Sequence, residues 1–434
     1  MRRFLSRRTF LGTVGASSVG LAGCMGGSGG NGNDGSGSDN TSNTSGNESS
    51  GNESSGNESG DGNDTGAAAA AIDYGEQIDD FQDGGNWYTF GDAQIAPDES
   101  DGISGEHSLR VEQESGGTAV IARAFSSAFD LSERYVSLAV RVDAPVNGQL
   151  QFEVRAPDDE NRVTSTRRLP GVDKWFRVDF GYSLGFGSPD FTDVQEIRLA
   201  MTGSEGEPIR FWVDDMRTTP ARDESNVIMA FYGGLESHYE TVFPMLEERG
   251  WVGALGVSQD LLNRSGRLSI DQLREMRDAG WDVCSFPQHA GRLPELSAEE
   301  QRRVIENNRD YLANRGFEDG AQHFFAPHNA INSDTLDILR DAHETGFLFG
   351  ACSSGIPPTG RHTISAIQGS DYDSSRAPIL RADIHNQVVV PYFERIGEEG
   401  MAVEDFEAQL DRIEDNSYGG GLEPITPTQL LEYY

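Results

Sequence analysis

The chain has 434 residues, enough for two or three domains at roughly 100–200 residues each. Asp and Glu number 71 against 34 Lys and Arg, a formal net charge of −37, which repels phosphate backbones and disfavours nucleic-acid binding. Lys174 is the only lysine, and so acidic and lysine-poor a chain fits a halophilic protein, because salt screens the self-repulsion.

The first 24 residues read as export machinery. Ser6-Arg7-Arg8-Thr9-Phe10-Leu11 carries the twin arginine of a Tat signal. The weakly apolar stretch after it is too short and too rich in Gly and Ser to span a bilayer, and no run of 18 apolar residues occurs elsewhere. Leu21-Ala22-Gly23-Cys24 resembles a lipobox. That resemblance implies cleavage before Cys24, a lipid on its sulfur, and a protein held on the outer face of the cell membrane. Residues 25–71 are Gly, Ser, Asn, Asp, Glu and Thr followed by an alanine run, with a repeated Gly-Asn-Glu-Ser-Ser from Gly46. Nothing there is apolar enough to drive folding, so a disordered tether spanning roughly 40 Å is expected. Six Asn-x-Ser/Thr sequons fall in it, at Asn40, Asn43, Asn47, Asn52, Asn57 and Asn63, and another begins at Asn263.

Residues 73–219 change to short alternating runs, at 108–112, 119–124, 135–142, 150–155, 175–180, 196–201 and 209–213. Short strands at regular spacing without a helical period predict an all-β sandwich. Ile78-Asp79-Asp80-Phe81 opens the region, Gly105-Glu106-His107-Ser108-Leu109-Arg110 follows, and Phe211-Trp212-Val213-Asp214-Asp215-Met216 closes it. These features resemble jelly-roll carbohydrate-binding modules. The resemblance implies glycan as partner and a structural calcium shared by the first and last strands, with Asp80 and Asp214 as candidate ligands. Trp87, Tyr88, Trp175 and Tyr182 are candidate sugar-stacking rings, although a sandwich Trp is more often core.

Residues 226–434 alternate strand and helix. Strands are expected at 227–231, 251–257, 281–286, 323–326, 347–351, 388–393 and around Ile425. Helices are expected at 239–249, 270–279, 297–315, 334–343, 403–414 and 427–434, the third opened by a Ser297/Glu300 capping box. About seven strand–helix units fit a closed α/β barrel.

Five motifs sharpen this. Met229-Ala230-Phe231-Tyr232-Gly233-Gly234 is followed by a helix and by Gly253-Ala254-Leu255-Gly256-Val257. Gly280-Trp281-Asp282-Val283-Cys284-Ser285-Phe286-Pro287-Gln288-His289-Ala290 comes next, then Phe325-Ala326-Pro327-His328-Asn329. Val390-Pro391-Tyr392-Phe393-Glu394 and Leu422-Glu423-Pro424-Ile425-Thr426-Pro427 close the series. The region resembles the polysaccharide deacetylase (NodB-homology, carbohydrate esterase family four) group. The resemblance implies a distorted (β/α)7 barrel behind the jelly-roll sandwich, and hydrolysis of N- or O-acetyl groups on glycans. In that family one Asp and two His hold a divalent metal, usually zinc, a second Asp is the base and a late His the acid. Here the base position is Tyr232, the metal positions are Gly233, Phe286 and Ala290, the orienting arginine is Phe325, and the acid position aligns with Glu394. The frame is kept and every catalytic position is changed. Metal-assisted hydrolysis needs a Lewis acid and a positioned base.

The leading expectation is therefore a surface protein that binds or processes envelope glycan without the family's metal-dependent deacetylation, and with no barrel cofactor. Tyr232, Phe286 and Phe325 would offer aromatic surface, with His289, His328, Glu394, Trp87 and Trp175 as further binding candidates. Two other readings stay open. One is a deacetylase with a rearranged zinc site on His289, His328 and Glu394. The other is a structural envelope protein. Cys284 and Cys352, isolated at strand positions, read as small buried hydrophobes.

Overall fold

Twenty-two strands and eight α-helices build the computed structural model, which describes residues 72–100, 102–288, 291–415 and 421–434. All of these belong to one unit, Ala67–Tyr434. The signal, Cys24 and the whole tether lie outside the described residues, as do His289 and Ala290.

Twelve strands come first: β1 (Glu76–Asp79), β2 (Tyr88–Phe90), β3 (Gln94–Asp98), β4 (Ser108–Gln113), β5 (Gly116–Phe129) and β6 (Arg134–Ala144). β7 (Asn147–Arg155), β8 (Arg162–Pro170), β9 (Phe176–Phe180), β10 (Leu184–Phe186), β11 (Val194–Glu205) and β12 (Ile209–Pro220) follow. They form the expected sandwich of two antiparallel sheets. One has the order β3-β4-β12-β6-β9 with β1 paired to β12, and the other the order β10-β8-β7-β11-β5-β2. Alternation places Leu150, Phe152, Val154, Ile197, Leu199 and Met201 in the core, while Gln149, Gln151, Glu153, Glu196, Arg198 and Ala200 face away from it.

The second half holds β13 (Asn226–Val227), β14 (Ala230–Tyr232), α1 (Phe243–Glu247), β15 (Ala254–Val257), α2 (Ile270–Asp278), β16 (Asp282–Ser285) and α3 (Ala298–Ala313). Then come α4 (Glu318–Ala321), β17 (His323–Phe325), α5 (Ser333–Ala342), β18 (Thr345–Phe349), β19 (Ile364–Gln368) and α6 (Tyr372–Ile384). β20 (Val388–Val389), β21 (Pro391–Phe393), α7 (Val403–Glu414), β22 (Glu423–Pro424) and α8 (Pro427–Leu430) end the chain. Seven parallel strands, β14-β15-β16-β17-β18-β19-β21, close into a barrel. Ser297 and Glu300 form their capping box, and Ser269 with Gln272 starts α2 in the same way. Two expectations change. The first helix opens as a π-turn, His238–Val242, before α1. β19 and α6 were not foreseen: α6 carries Pro378 in its interior and has no clear amphipathic stripe. Among the described residues, no helix is long and apolar enough to cross a membrane.

The sandwich covers part of the barrel wall, and one apolar cluster runs from Phe152 and Phe180 to Phe324, Leu336 and Leu348. Polar contacts fix the seam. Buried Asp179 accepts from the Thr359 and Gly360 amides at 2.9 and 2.8 Å and from the Thr359 hydroxyl at 2.7 Å. Ser183 donates to Ala351 O at 2.6 Å, and Lys174 pairs with Asp337 on α5.

Three buried barrel histidines make stability sensitive to pH. Burial holds His238 at about 4 and His323 and His343 at about 3, against an ordinary value near 6.5. The folded protein keeps them neutral, whereas the unfolded chain takes up protons below pH 6.5. Their contribution is therefore complete above pH 6.5 and is lost as pH falls towards 4, by at most about 1.4 kcal/mol per pH unit for each. Asp214 and Asp282, raised by burial, act in the opposite sense. Urea midpoints are expected to fall between pH 7.5 and 5.5, and His323→Gln to flatten the profile. A midpoint unchanged over that range would contradict this account.

Candidate functional site

Barrel sites lie at the C-terminal ends of the strands, and here that end is filled with rings. Tyr232, the last residue of β14, stacks on Tyr392 of β21 at 5.1 Å and 9°. It also stacks on Phe286 at 5.2 Å and meets Phe325 at 5.0 Å. Gly256 on β15 permits this closure, since a Cβ there would stand 2.9 Å from Phe325 and 3.2 Å from Phe286. Tyr232, Phe286 and Phe325 are only 3, 8 and 0 % exposed. They face one another, which corrects the expectation that they offer open surface to a sugar. The half-buried Tyr392 is the ring of this group nearest solvent.

Gly233, at the metal-Asp position, has φ of +96°, a conformation side chains rarely adopt. The Arg267 guanidinium donates to its carbonyl at 2.5 Å, and a Cβ on Gly233 would stand 2.9 Å from Arg267 Nη1. A fixed cation thus borders the place where the family puts a carboxylate. Glu394 is exposed, and its carbonyl is bonded to the buried His238 ring at 2.5 Å. His328 is exposed with φ of +56°. His289 and Ala290 lie outside the described residues, so the proposed zinc set is visible only through His328 and Glu394. Among the described residues, no three His, Cys, Asp or Glu side chains converge as metal ligands. Gly233 and Phe286 have no side-chain donor, so the residues do not fit the metal centre of the family. Cys284 and Cys352 are buried, and burial pushes the Cys284 thiol well up. Asp282 is structural, accepting the Thr428 amide at 2.8 Å.

The sandwich candidates divide. Trp87 is core, a correction: it is 3 % exposed, stacks on Phe81 at 5.1 Å and donates to Asp79 at 2.8 Å. Tyr182 is core as well, edge-on to His385. Trp175 is half-buried and lines a cleft of about 410 Å³ with Tyr74 and Arg217. Asp214 is buried and accepts from the amides of Ile103, Ser104 and Asp215 at 2.7, 3.0 and 2.7 Å. Exposed Asp80 accepts from the Gln82 amide at 3.1 Å, so the two carboxylates organise different turns.

Tyr88 is exposed, and it belongs to a surface the sequence did not delineate. The outer face of the β10-β8-β7-β11-β5-β2 sheet carries Tyr88 and Phe90 at one edge and Leu184 and Phe186 at the other, all 37–50 % exposed. The edges lie five strand spacings apart, about 24 Å. Between them runs a ladder of planar polar groups. Glu153 meets Arg155 at 2.8 Å and Arg162 at 3.3 Å, and Arg155 meets Glu196 at 3.4 Å. Arg198 caps Phe90 at 4.6 Å and Arg162 caps Phe186 at 4.1 Å. The signal for this face was present in Tyr88-Thr89-Phe90 and Leu184-Gly185-Phe186, two short alternations that put both large apolar side chains of each run on one side.

Residues 220–346 match the family model described as Polysaccharide deacetylase. This stretch, from the end of β12 to the start of β18, is a polysaccharide deacetylase-type domain segment. No curated protein matches the chain significantly. Among solved structures, it is similar to a family 4 carbohydrate esterase from Streptomyces lividans, with 12 % identity over 46 % of this chain and 98 % of that one, at a TM-score of 0.33. It is similar to the Streptococcus pyogenes deacetylase PplD, with 19 % identity over 32 % and 62 % of the two chains, at 0.30. It is also similar to the family 11 carbohydrate-binding module of the Clostridium thermocellum cellulase Lic26A-Cel5E, with 15 % identity over 35 % and 97 %, at 0.27. The chain spans 62 % of the length of PplD and 25 % of an exo-beta-agarase. The deacetylase-type domain begins where β12 ends at Pro220.

Proposed function

We propose that this protein binds a cell-envelope or extracellular polysaccharide, and that its deacetylase-type barrel binds glycan without the metal-dependent reaction of the family. The observation that carries the reading is the outer sandwich face, with exposed rings at both edges of a ladder of Arg, Glu and Gln. Sugar rings present C–H faces that stack on aromatic side chains, and hydroxyls that pair with planar polar groups. The filled barrel mouth supports the second half: Tyr232, Gly233 and Phe286 supply neither ligand nor base. The twin arginine and the lipobox at Cys24 support export and anchoring on the outer face of the membrane, where such a glycan lies.

The test joins calorimetry with an acetate-release assay on acetylated oligosaccharides, with and without added zinc. Glycan binding without acetate release is expected. Zinc-dependent acetate release lost in His328→Ala would overturn the non-hydrolytic reading. Absence of binding to every glycan tried would overturn the reading as a whole.

A further inference from the structure

A cleft of about 410 Å³ lies where the sandwich meets α5 of the barrel. Val178 and Phe180 of β9 and Val213 and Met216 of β12 point into the sandwich core. Arg177, Asp215 and Arg217 face the other way, into the cleft, on the outer side of the β3-β4-β12-β6-β9 sheet. Tyr88 and Phe186 belong to the outer side of the other sheet. The two surfaces therefore lie back to back across the sandwich core, with the sheets roughly 10 Å apart.

The floor of the cleft is a fixed polar network. A bulge interrupts the β12–β6 register between Asp214 and Arg217, and Asp215 takes a φ of +48°, a conformation non-glycine residues rarely adopt. Its carboxylate accepts from Arg217 Nε at 2.7 and 2.9 Å, from Gln77 Nε2 at 2.6 Å and from Arg177 Nη2. Arg177 also donates to the Asp215 carbonyl at 2.9 Å. Rings form the sides. Tyr74, 40 % exposed, covers the Arg177 guanidinium at 4.7 Å, and half-buried Trp175 lines the same cleft. Exposed Arg340 of α5 donates to the Trp175 carbonyl at 2.6 Å and ties the barrel to this wall. The charges are paired: Arg177 and Arg217 share Asp215, while Lys174 and Arg340 share Asp337.

A cavity of this size at a domain seam, walled by aromatic rings around a few convergent polar groups, is the usual construction of a small-ligand site. The polar groups are held in place before any ligand arrives, so little ordering cost remains on binding. Paired planes of carboxylate, amide and guanidinium suit hydroxyls, which both donate and accept, and the C–H face of a sugar ring suits Tyr74 and Trp175. The chemistry of the Tyr88–Phe186 face is thus repeated on the opposite side of the sandwich.

Resting on the glycan-binding reading, we propose that this cleft is a second saccharide site, with Tyr74 and Trp175 stacking sugar units and Gln77, Arg217 and Arg340 taking their hydroxyls. Two sites on opposite faces cannot share one short segment, so one protein molecule holds two polysaccharide chains and cross-links them.

The test uses the full chain with two probes, a hexamer of N-acetylglucosamine and a hexamer of mixed-linked β-1,3-1,4-glucan, and a soluble polymer of each. Trp175 is half-buried, so the cleft variant is Tyr74→Ala with Arg340→Ala, both at exposed positions. Calorimetry with the hexamer that binds is expected to give about two per parent protein and about one per variant. With the matching polymer, the parent should raise light scattering as it links chains, and excess hexamer should reverse the rise. The variant should bind the polymer without that rise. One hexamer per parent protein, or two per variant, overturns the cleft proposal and leaves the glycan reading standing. Two hexamers bound without any scattering rise overturn the cross-linking. No binding of either hexamer or polymer overturns this proposal and the glycan reading together.

Discussion

Tyr232→Ala is expected to destabilise the barrel by about 3–5 kcal/mol, the cost of removing a buried large aromatic side chain. For a domain of this size that corresponds to a fall of roughly 10 °C in Tm. The ring is 3 % exposed and lies against three others, Phe286, Phe325 and Tyr392, within 5.0–5.2 Å. Gly256 has no side chain to move into the space left behind. The cavity would therefore persist, and cavity volume adds to the lost transfer free energy. Tyr232→Asp, which puts the family's base back, should cost more still, because it buries a carboxylate among rings. Chemical denaturation of the two variants against the parent measures both. A loss under about 1 kcal/mol for the alanine variant would mean that the mouth opens in solution and that Tyr232 is a surface platform, not a plug.

The frame was readable because backbone architecture is written in periodicity. Helix caps such as Ser297 with Glu300 are local, and the alternation of β7 and β11 is fixed by which residues meet the core. The family motifs placed Tyr232, Gly233, Phe286 and Phe325 at the strand ends, and the structure puts them together. What they do there was not readable. Whether an aromatic side chain at a site position faces solvent or faces another aromatic depends on neighbours far apart in sequence, here Gly256 and Tyr392. The sequence reading therefore took a plug for a platform. Trp87 failed in the same way: its indole is spent on Phe81 and Asp79 inside the sandwich.

The arginine ladder of the sandwich face was missed for a related reason. In a chain with 71 acids, any single arginine looks like one partner in a surface ion pair. Only the three-dimensional pairing shows that Arg155 has its carboxylates, Glu153 at 2.8 Å and Glu196 at 3.4 Å, on one face of the sheet. β19 and α6 escaped because Pro378 and the polar turns around them erase the periodic signal.

The double variant Tyr88→Ala with Phe186→Ala is expected to weaken polysaccharide binding by about 2–4 kcal/mol, which is roughly 30- to 1,000-fold in Kd. Each ring is 40 % exposed at its own edge of the sheet. Neither supports the sandwich core, so the thermal midpoint should move little while affinity falls. The positions are far enough apart, about 24 Å across six strands, that their separate losses should add within a few tenths of a kcal/mol. That separation also gives a length dependence. A long oligosaccharide engages both edges and loses most in the double variant, whereas a short one engages one edge and responds to one substitution only. Isothermal titration with a short and a long oligosaccharide of the same linkage reads both effects. If the double variant binds the long chain as tightly as the parent does, the sheet face is not the binding surface, and binding must be sought at the seam cleft or the barrel mouth.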